Sequence, residues 1–135
     1  TRTFCKGAAP EEARRLYQTV LAAQQLGLDQ IRPGAQGHEI HQSIQQFFIE
    51  AGYETGERDG FMQGYFHGTG HGLGLEIHEG PSIGRREDQL VAGHIVTVEP
   101  GLYYRNLGGV RIEDTVVVRE GGYENLATLP KVFEV

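Results

Sequence analysis

Tryptophan is absent from this chain of 135 residues, and cysteine and methionine occur once each. With Cys5 alone, no internal disulfide can form, so a packed core must hold the fold. A single thiol also fits a reducing compartment, and a cytoplasmic location is the expectation. No apolar run approaches the ~18 residues of a membrane span. No charged-then-apolar leader of the secretory kind is visible. Basic residues are the scarcer charge, 12 against 18 acidic, for a net charge of −6. That balance disfavours a nucleic-acid or anionic-membrane partner, which would need a basic patch. Internal repeats and low-complexity tracts are missing too. What is present is a hydrophobic fraction of 39%, enough to argue against disorder. The length is that of one domain with a real core, residues 1–135. The opening, TRTFCKGAAP, has no initiator Met and a strand-like start. It reads as the interior of a longer protein.

Pattern divides the chain in two. Residues 10 to 54 are helical in character. Pro10 sits at a first-turn position, and Glu11 and Glu12 follow where the helix dipole favours acids. Leu16, Val20 and Ala23 recur at helical spacing. RPGAQG then interrupts the pattern. A second stripe follows with Ile40, Ile44, Phe47 and Phe48, closed by Gly52. From residue 61 the pattern changes to short alternating segments and glycine turns, as in HIVTVEPGLYY and GGVRIEDTVVVRE. Helices followed by strands predict an α+β domain with helices packed on an antiparallel sheet.

The unusual stretch is GYFHGTGHGLGLEIHEGPSIG, residues 64 to 84, with His67, His71 and His78 on a glycine-dense backbone. It is no phosphate loop, because no lysine followed by serine or threonine closes it. Its spacing also misses G-x-G-x-x-G, and no helical pattern follows. Nor is it a zincin helix, since HEGPS lacks the second histidine and carries glycine and proline. Two readings remain, a metal site and a plain glycine-rich connection.

Downstream residues bear on that choice. In a strand, Ile95, Thr97 and Glu99 share one face, and Val96 and Val98 the other. Likewise Val110 and Ile112 oppose Arg111 and Glu113. Neighbouring strands lie ~4.8 Å apart, so Glu99 and Glu113 could meet over one ion. Arg111 would help keep Glu113 charged, and His71 would add an imidazole. Oxygen-rich ligation with one histidine suits Mn²⁺, Co²⁺ or Zn²⁺ rather than a thiolate-type structural zinc. The glycines would let backbone and substrate approach a crowded centre. Against this stands the ordinary reading of each residue. His38, His41 and His94 read as surface or core residues. Glu76, Glu79, Glu120 and Glu124 read as solvated, as do Arg14, Arg15, Arg85 and Arg86. Asp114 points to the face opposite Glu113 and is not counted as a ligand.

FHGTGHGLGLEIHEGP, VTVEPGLYY and GGVRIEDTVVV, in this order and spacing, resemble the proline-directed pita-bread metallopeptidases, namely Xaa-Pro dipeptidase (prolidase) and aminopeptidase P. TRTF resembles the end of that family's Asp-x-Thr-Arg-Thr motif. The resemblance implies that His71, Glu99 and Glu113 bind metal, with Glu99 also the general base and Glu113 bridging two divalent ions. It implies that His67 and His78 touch substrate or the tetrahedral intermediate, and that Arg111 is the motif arginine. The family's two other ligands are aspartates, one of them two residues before Thr1. The chain therefore resembles the second of two pseudo-symmetric halves of a catalytic domain. The expected partners are a peptide substrate, the absent N-terminal half of the same domain, and a further copy in a homo-oligomer. The implied activity is dinuclear metal-dependent cleavage of an N-terminal Xaa-Pro bond. Residues 1–135 alone would hold one metal or none and would be inactive. A methionine aminopeptidase, a creatinase-like hydrolase and a non-catalytic peptide-binding module remain as alternatives.

Overall fold

The computed structural model describes all residues, Thr1–Val135. Helix α1 spans Glu11–Leu28, with Glu11 and Glu12 in its first turn. Pro10 is the residue that caps it rather than a first-turn residue, a natural position for a residue with fixed φ and no N–H. Leu16, Val20 and Ala23 are buried as the stripe requires. Helix α2 spans Gly37–Glu50 and buries Ile40, Ile44 and Phe48. Phe47 is half-buried at the edge of that stripe. Past α2, Gly52 takes φ +88°, the left-handed conformation that ends helices cheaply only as glycine.

The strands are short. A first hairpin pairs β1, Gly56–Arg58, with β2, Phe61–Gln63. The main sheet contains β3 (Gly70–Gly72), β4 (Glu79–Ile83), β5 (Ile95–Val98), β8 (Asp114–Arg119) and β9 (Gly122–Asn125). A second hairpin, β6 (Gly101–Tyr104) with β7 (Gly108–Arg111), lies between β5 and β8 in sequence. The sheet order is β4-β3-β5-β8-β9, and its ladders are antiparallel. Val96, Val98, Val116 and Val118 are fully buried and join the helix residues in one core. A Cβ on Gly27 of α1 would lie 3.0 Å from a Val98 methyl, which fixes how closely helix and sheet pack. The helices therefore cover the valine face of β5 and β8, leaving the Thr97 face for the site. No helix is long and apolar enough to cross a membrane.

The opening residues depart from expectation. Thr1–Phe4 form no strand, and Cys5 makes only an isolated parallel bridge to Glu134. Instead this segment runs beside the bend between β7 and β8. Glu113 N–H donates to Thr1 O at 3.0 Å, but Arg111 N–H is taken by the Thr3 hydroxyl at 3.0 Å. A side chain thus occupies a backbone group that a ladder would use. Arg14 stays at the surface, where it pairs with Glu134 at 2.9 Å and with Glu11 at 3.5 Å.

His41 belongs to the core. Its Nδ1 lies 3.0 Å from the Thr69 hydroxyl and 3.2 Å from that of Tyr65. Burial, with the charges of Arg85 and His67, lowers its pKa from 6.5 to about 4. The unfolded chain therefore takes up this proton first. The stabilising contribution is complete above pH 6.5 and is lost as pH falls toward 4, by up to about 3 kcal/mol. Urea unfolding at pH 7.0 and 4.5 measures it. His41→Gln should flatten the slope across that window, and equal slopes in both proteins would remove the assignment.

Candidate metal centre

His71 is the middle residue of β3, flanked by Gly70 and Gly72. A Cβ on Gly70 would lie 1.8 Å from Thr97 O, and one on Gly72 would lie 2.1 Å from Gly80 O. Both contacts are with backbone, which cannot yield as a flexible side chain can. The glycine density around His71 thus has a steric cause: β3 is wedged between β4 and β5 with no room for a Cβ at Gly70 or Gly72. The Thr97 hydroxyl accepts the His71 N–H at 3.1 Å and donates to Glu99 Oε1 at 3.0 Å.

The register of β5 on β8 places Val98 opposite Asp114. Glu99 and Glu113 are the next residues outward along that ladder. Both therefore stand just beyond the strand ends, whereas the sequence reading put them inside strands. Alternation survives there because the chain stays extended. Glu99 is anchored through its own N–H, which donates to Thr69 O at 2.7 Å. Donor atoms of His71, Glu99 and Glu113 all lie within 4.8 Å of one another, and all three residues are half-buried.

The local hydrogen bonds define what this cluster can hold. His71 Nδ1 lies 3.0 Å from Gly72 O, and a carbonyl can only accept, so Nδ1 carries a proton. In the neutral ring Nε2 then presents a lone pair, 3.1 Å from Glu99 Oε1. Two lone pairs at that distance call for a proton or a cation between them. One imidazole and two carboxylates converging in this way fit a divalent ion. Burial pushes the Glu113 carboxyl up, while the hydrogen bond from the Thr1 hydroxyl and the charge of Arg111 act to lower it. The Thr1 backbone nitrogen lies 3.1 Å from Glu113 Oε2.

The cluster opens into a cavity of about 310 Å³ lined by His67, His71, His78, Glu99 and Arg111 over Gly68 and Gly70, with no hydrophobic residue. The His78 ring stands 4.4 Å from that of His71. His67 Nδ1 donates to Gly68 O at 2.7 Å, and its Nε2 lies 2.9 Å from the Tyr103 hydroxyl. The six sequence candidates are thus neighbours, with Glu113 meeting the others from the Thr1 side.

Three residues were given no role by the sequence reading. Tyr103 joins His67, and burial raises its pKa against the opposing effect of Arg111. The alternation of EPGLYY, continued from Glu99 to Gly101 and Tyr103, could have flagged it. Thr97 was placed on the face of Glu99 but not connected to it. Asp114, not counted as a ligand, is a buried hub for four side chains.

A family model described as metallopeptidase family M24 matches residues 1–120. The chain belongs to this metallopeptidase family. It is 39% identical over 127 residues to an Xaa-Pro dipeptidase of Pyrococcus furiosus, covering 93% of this chain and 34% of that protein. Among solved structures, an X-Pro aminopeptidase from Thermotoga maritima superposes with a TM-score of 0.87 and 38% identity, over 99% of this chain and 36% of that one. An Escherichia coli aminopeptidase P crystallised with substrate gives a TM-score of 0.81 and 28% identity, over 97% of this chain and 35% of that one. The M24 chain thus has the pita-bread α+β fold of these peptidases, and spans about a third of the length of the relatives it matches. Membership in a metallopeptidase family implies divalent metal, and the donor set around His71 fits one.

Proposed function

We propose that residues 1–135 form the C-terminal part of the catalytic domain of a dinuclear metal-dependent exopeptidase, which hydrolyses the N-terminal Xaa-Pro bond of peptides or dipeptides. The observation that carries this reading is the meeting of His71, Glu99 and Glu113 within 4.8 Å beside a cavity lined by no hydrophobic residue. His71, Glu99 and Glu113 would hold divalent metal, Mn²⁺, Co²⁺ or Zn²⁺. When bound, such ions supply a water nucleophile at neutral pH and polarise the scissile carbonyl. Glu99 would serve as the general base, taking up a proton at its carboxylate and returning it to the leaving amine. Arg111 places a positive charge in the cavity, suited to a carboxylate or developing oxyanion. His78 turns its ring into the cavity beside His71 and donates to the substrate. His67 has both nitrogens engaged, so it donates to substrate only after release from Tyr103. The relatives' names, Xaa-Pro dipeptidase and X-Pro aminopeptidase, support the proline specificity.

The remaining ligands are assigned to an N-terminal half of the domain that these residues do not contain. Leu75 is fully exposed and Ile77 is 69% exposed on the loop after His71, a surface suited to that half or to a second copy in a homo-oligomer. The unpaired Cys5 supports a cytoplasmic setting. The reading is tested on Xaa-Pro dipeptides and Xaa-Pro-initiated tripeptides with Mn²⁺ or Co²⁺ present. Residues 1–135 alone should cleave neither to a measurable extent. The same chain joined to its upstream segment should cleave at the first bond and stop on chelation. Robust turnover by residues 1–135 alone, lost in His71→Ala, would show that the site is complete without further ligands.

A further inference from the structure

Both flanks of the candidate centre are tied to one hydroxyl. Thr97 is 3% exposed, and its side chain lies on the site face of β5, away from the valine core. It accepts the His71 N–H at 3.1 Å and donates to Glu99 Oε1 at 3.0 Å. A hydroxyl has one proton to give, and here it goes to the carboxylate, because the backbone N–H of His71 cannot accept. That single donor fixes which oxygen of Glu99 turns inward. The second oxygen is left free of Thr97. The backbone on both sides is already rigid. Glu99 N–H is held by Thr69 O at 2.7 Å, and Gly70 packs directly on Thr97 O. What remains free is the rotation of the Glu99 carboxyl group, and the Thr97 hydroxyl removes that freedom.

We propose that Thr97 is the positioning residue of the centre: its hydroxyl, held in place by the His71 N–H, locks the Glu99 carboxylate into one orientation toward His71, so that an ion meets a preformed donor set. This rests on the reading of His71, Glu99 and Glu113 as metal ligands. Groups that orient ligands from behind typically change metal affinity ten- to a hundredfold when removed. Threonine is suited to the task beyond its hydroxyl, since its branched Cβ favours a strand and limits rotation about χ1.

The test compares Thr97→Val, which keeps the branched shape and loses the hydroxyl, with Thr97→Ser, which keeps the hydroxyl. The Mn²⁺ dissociation constant of the protein is read from the electron paramagnetic resonance of the free ion, with the thermal midpoint measured alongside. Thr97→Val should bind Mn²⁺ at least tenfold more weakly, and Thr97→Ser should stay within about threefold of the parent. Equal weakening in Val and Ser, tracking a fall in thermal midpoint, would overturn the proposal by showing that Thr97 only packs. Unchanged affinity in Thr97→Val while His71→Ala abolishes binding would overturn it and leave the metal centre standing. Unchanged affinity in His71→Ala as well would remove the metal centre and this proposal together.

Discussion

Glu99→Ala should lower kcat/KM for Xaa-Pro substrates by at least about a thousandfold in the protein that carries its upstream segment. That is about 4 kcal/mol of transition-state stabilisation. Two roles are lost with one side chain. The carboxylate is a donor in the cluster with His71 and Glu113, and on the proposed reading it is also the general base. Glu99→Gln separates these roles in part, because the amide keeps an oxygen for Thr97 or an ion but has no basic site. It should lose most of kcat and retain more metal affinity than Glu99→Ala. The loss should not come from unfolding. Glu99 is half-buried beside the cavity and lies outside the hydrophobic core. Its structural anchor is the backbone bond to Thr69 O, which either substitution preserves. Steady-state kinetics with a matched urea curve decides the matter. Turnover by Glu99→Ala within tenfold of the parent would exclude Glu99 as the base.

Periodicity located the elements and the faces but not their ends or their long-range partners. Leu16, Val20 and Ala23 announced α1, and Ile40, Ile44 and Phe48 announced α2, because one buried stripe at helical spacing is written in local sequence. The parity of Thr97 with Glu99, and of Arg111 with Glu113, brought both carboxylates to one place. Parity could not reveal that the ladder stops at Val98 and Asp114, since an extended chain alternates whether or not a neighbour pairs with it. The convergence of His71, Glu99 and Glu113 was legible because each sits in a short, recognisable run. Thr97 and Tyr103 were present in those same runs but needed coordinates to show what each hydroxyl touches. The fate of TRTF was not legible, because it depends on the backbone of residues more than a hundred positions away. Asp114 shows the same limit most clearly. Its partners Arg2 and Gln24 precede it by 112 and 90 residues, and no local pattern records such a meeting.

Asp114→Ala should destabilise the fold by about 3–5 kcal/mol, the usual loss when one member of a buried charge network is removed. The Asp114 carboxylate has no exposed side-chain surface. Oδ1 accepts from Arg2 at 2.7 Å. Oδ2 faces Lys131 at 2.7 Å, Asn125 at 2.9 Å and Gln24 at 3.1 Å. Burial alone would raise its pKa, but Lys131, Asn125, Gln24 and Arg2 together lower it to about 2. Removing the carboxylate strands two cations, since the Arg2 and Lys131 side chains are only 11% and 22% exposed. It also leaves the buried Gln24 amide short of a partner, a separate cost of about 1–3 kcal/mol that overlaps the first. Asp114→Asn keeps the shape and one acceptor oxygen, so it should lose less than Ala while still failing to neutralise the pair. A further consequence reaches the candidate centre. Arg2 also donates to Glu113 O at 2.6 Å, so loosening Arg2 releases the segment that braces Glu113. A change of this size is a large fraction of the ~5–15 kcal/mol that holds a domain together. Urea unfolding at neutral pH measures it, with an unchanged denaturant slope confirming the same transition. A loss under about 1 kcal/mol in Asp114→Ala would mean that the four contacts are individually dispensable and that the hub is not what joins α1, β9 and the two ends of the chain.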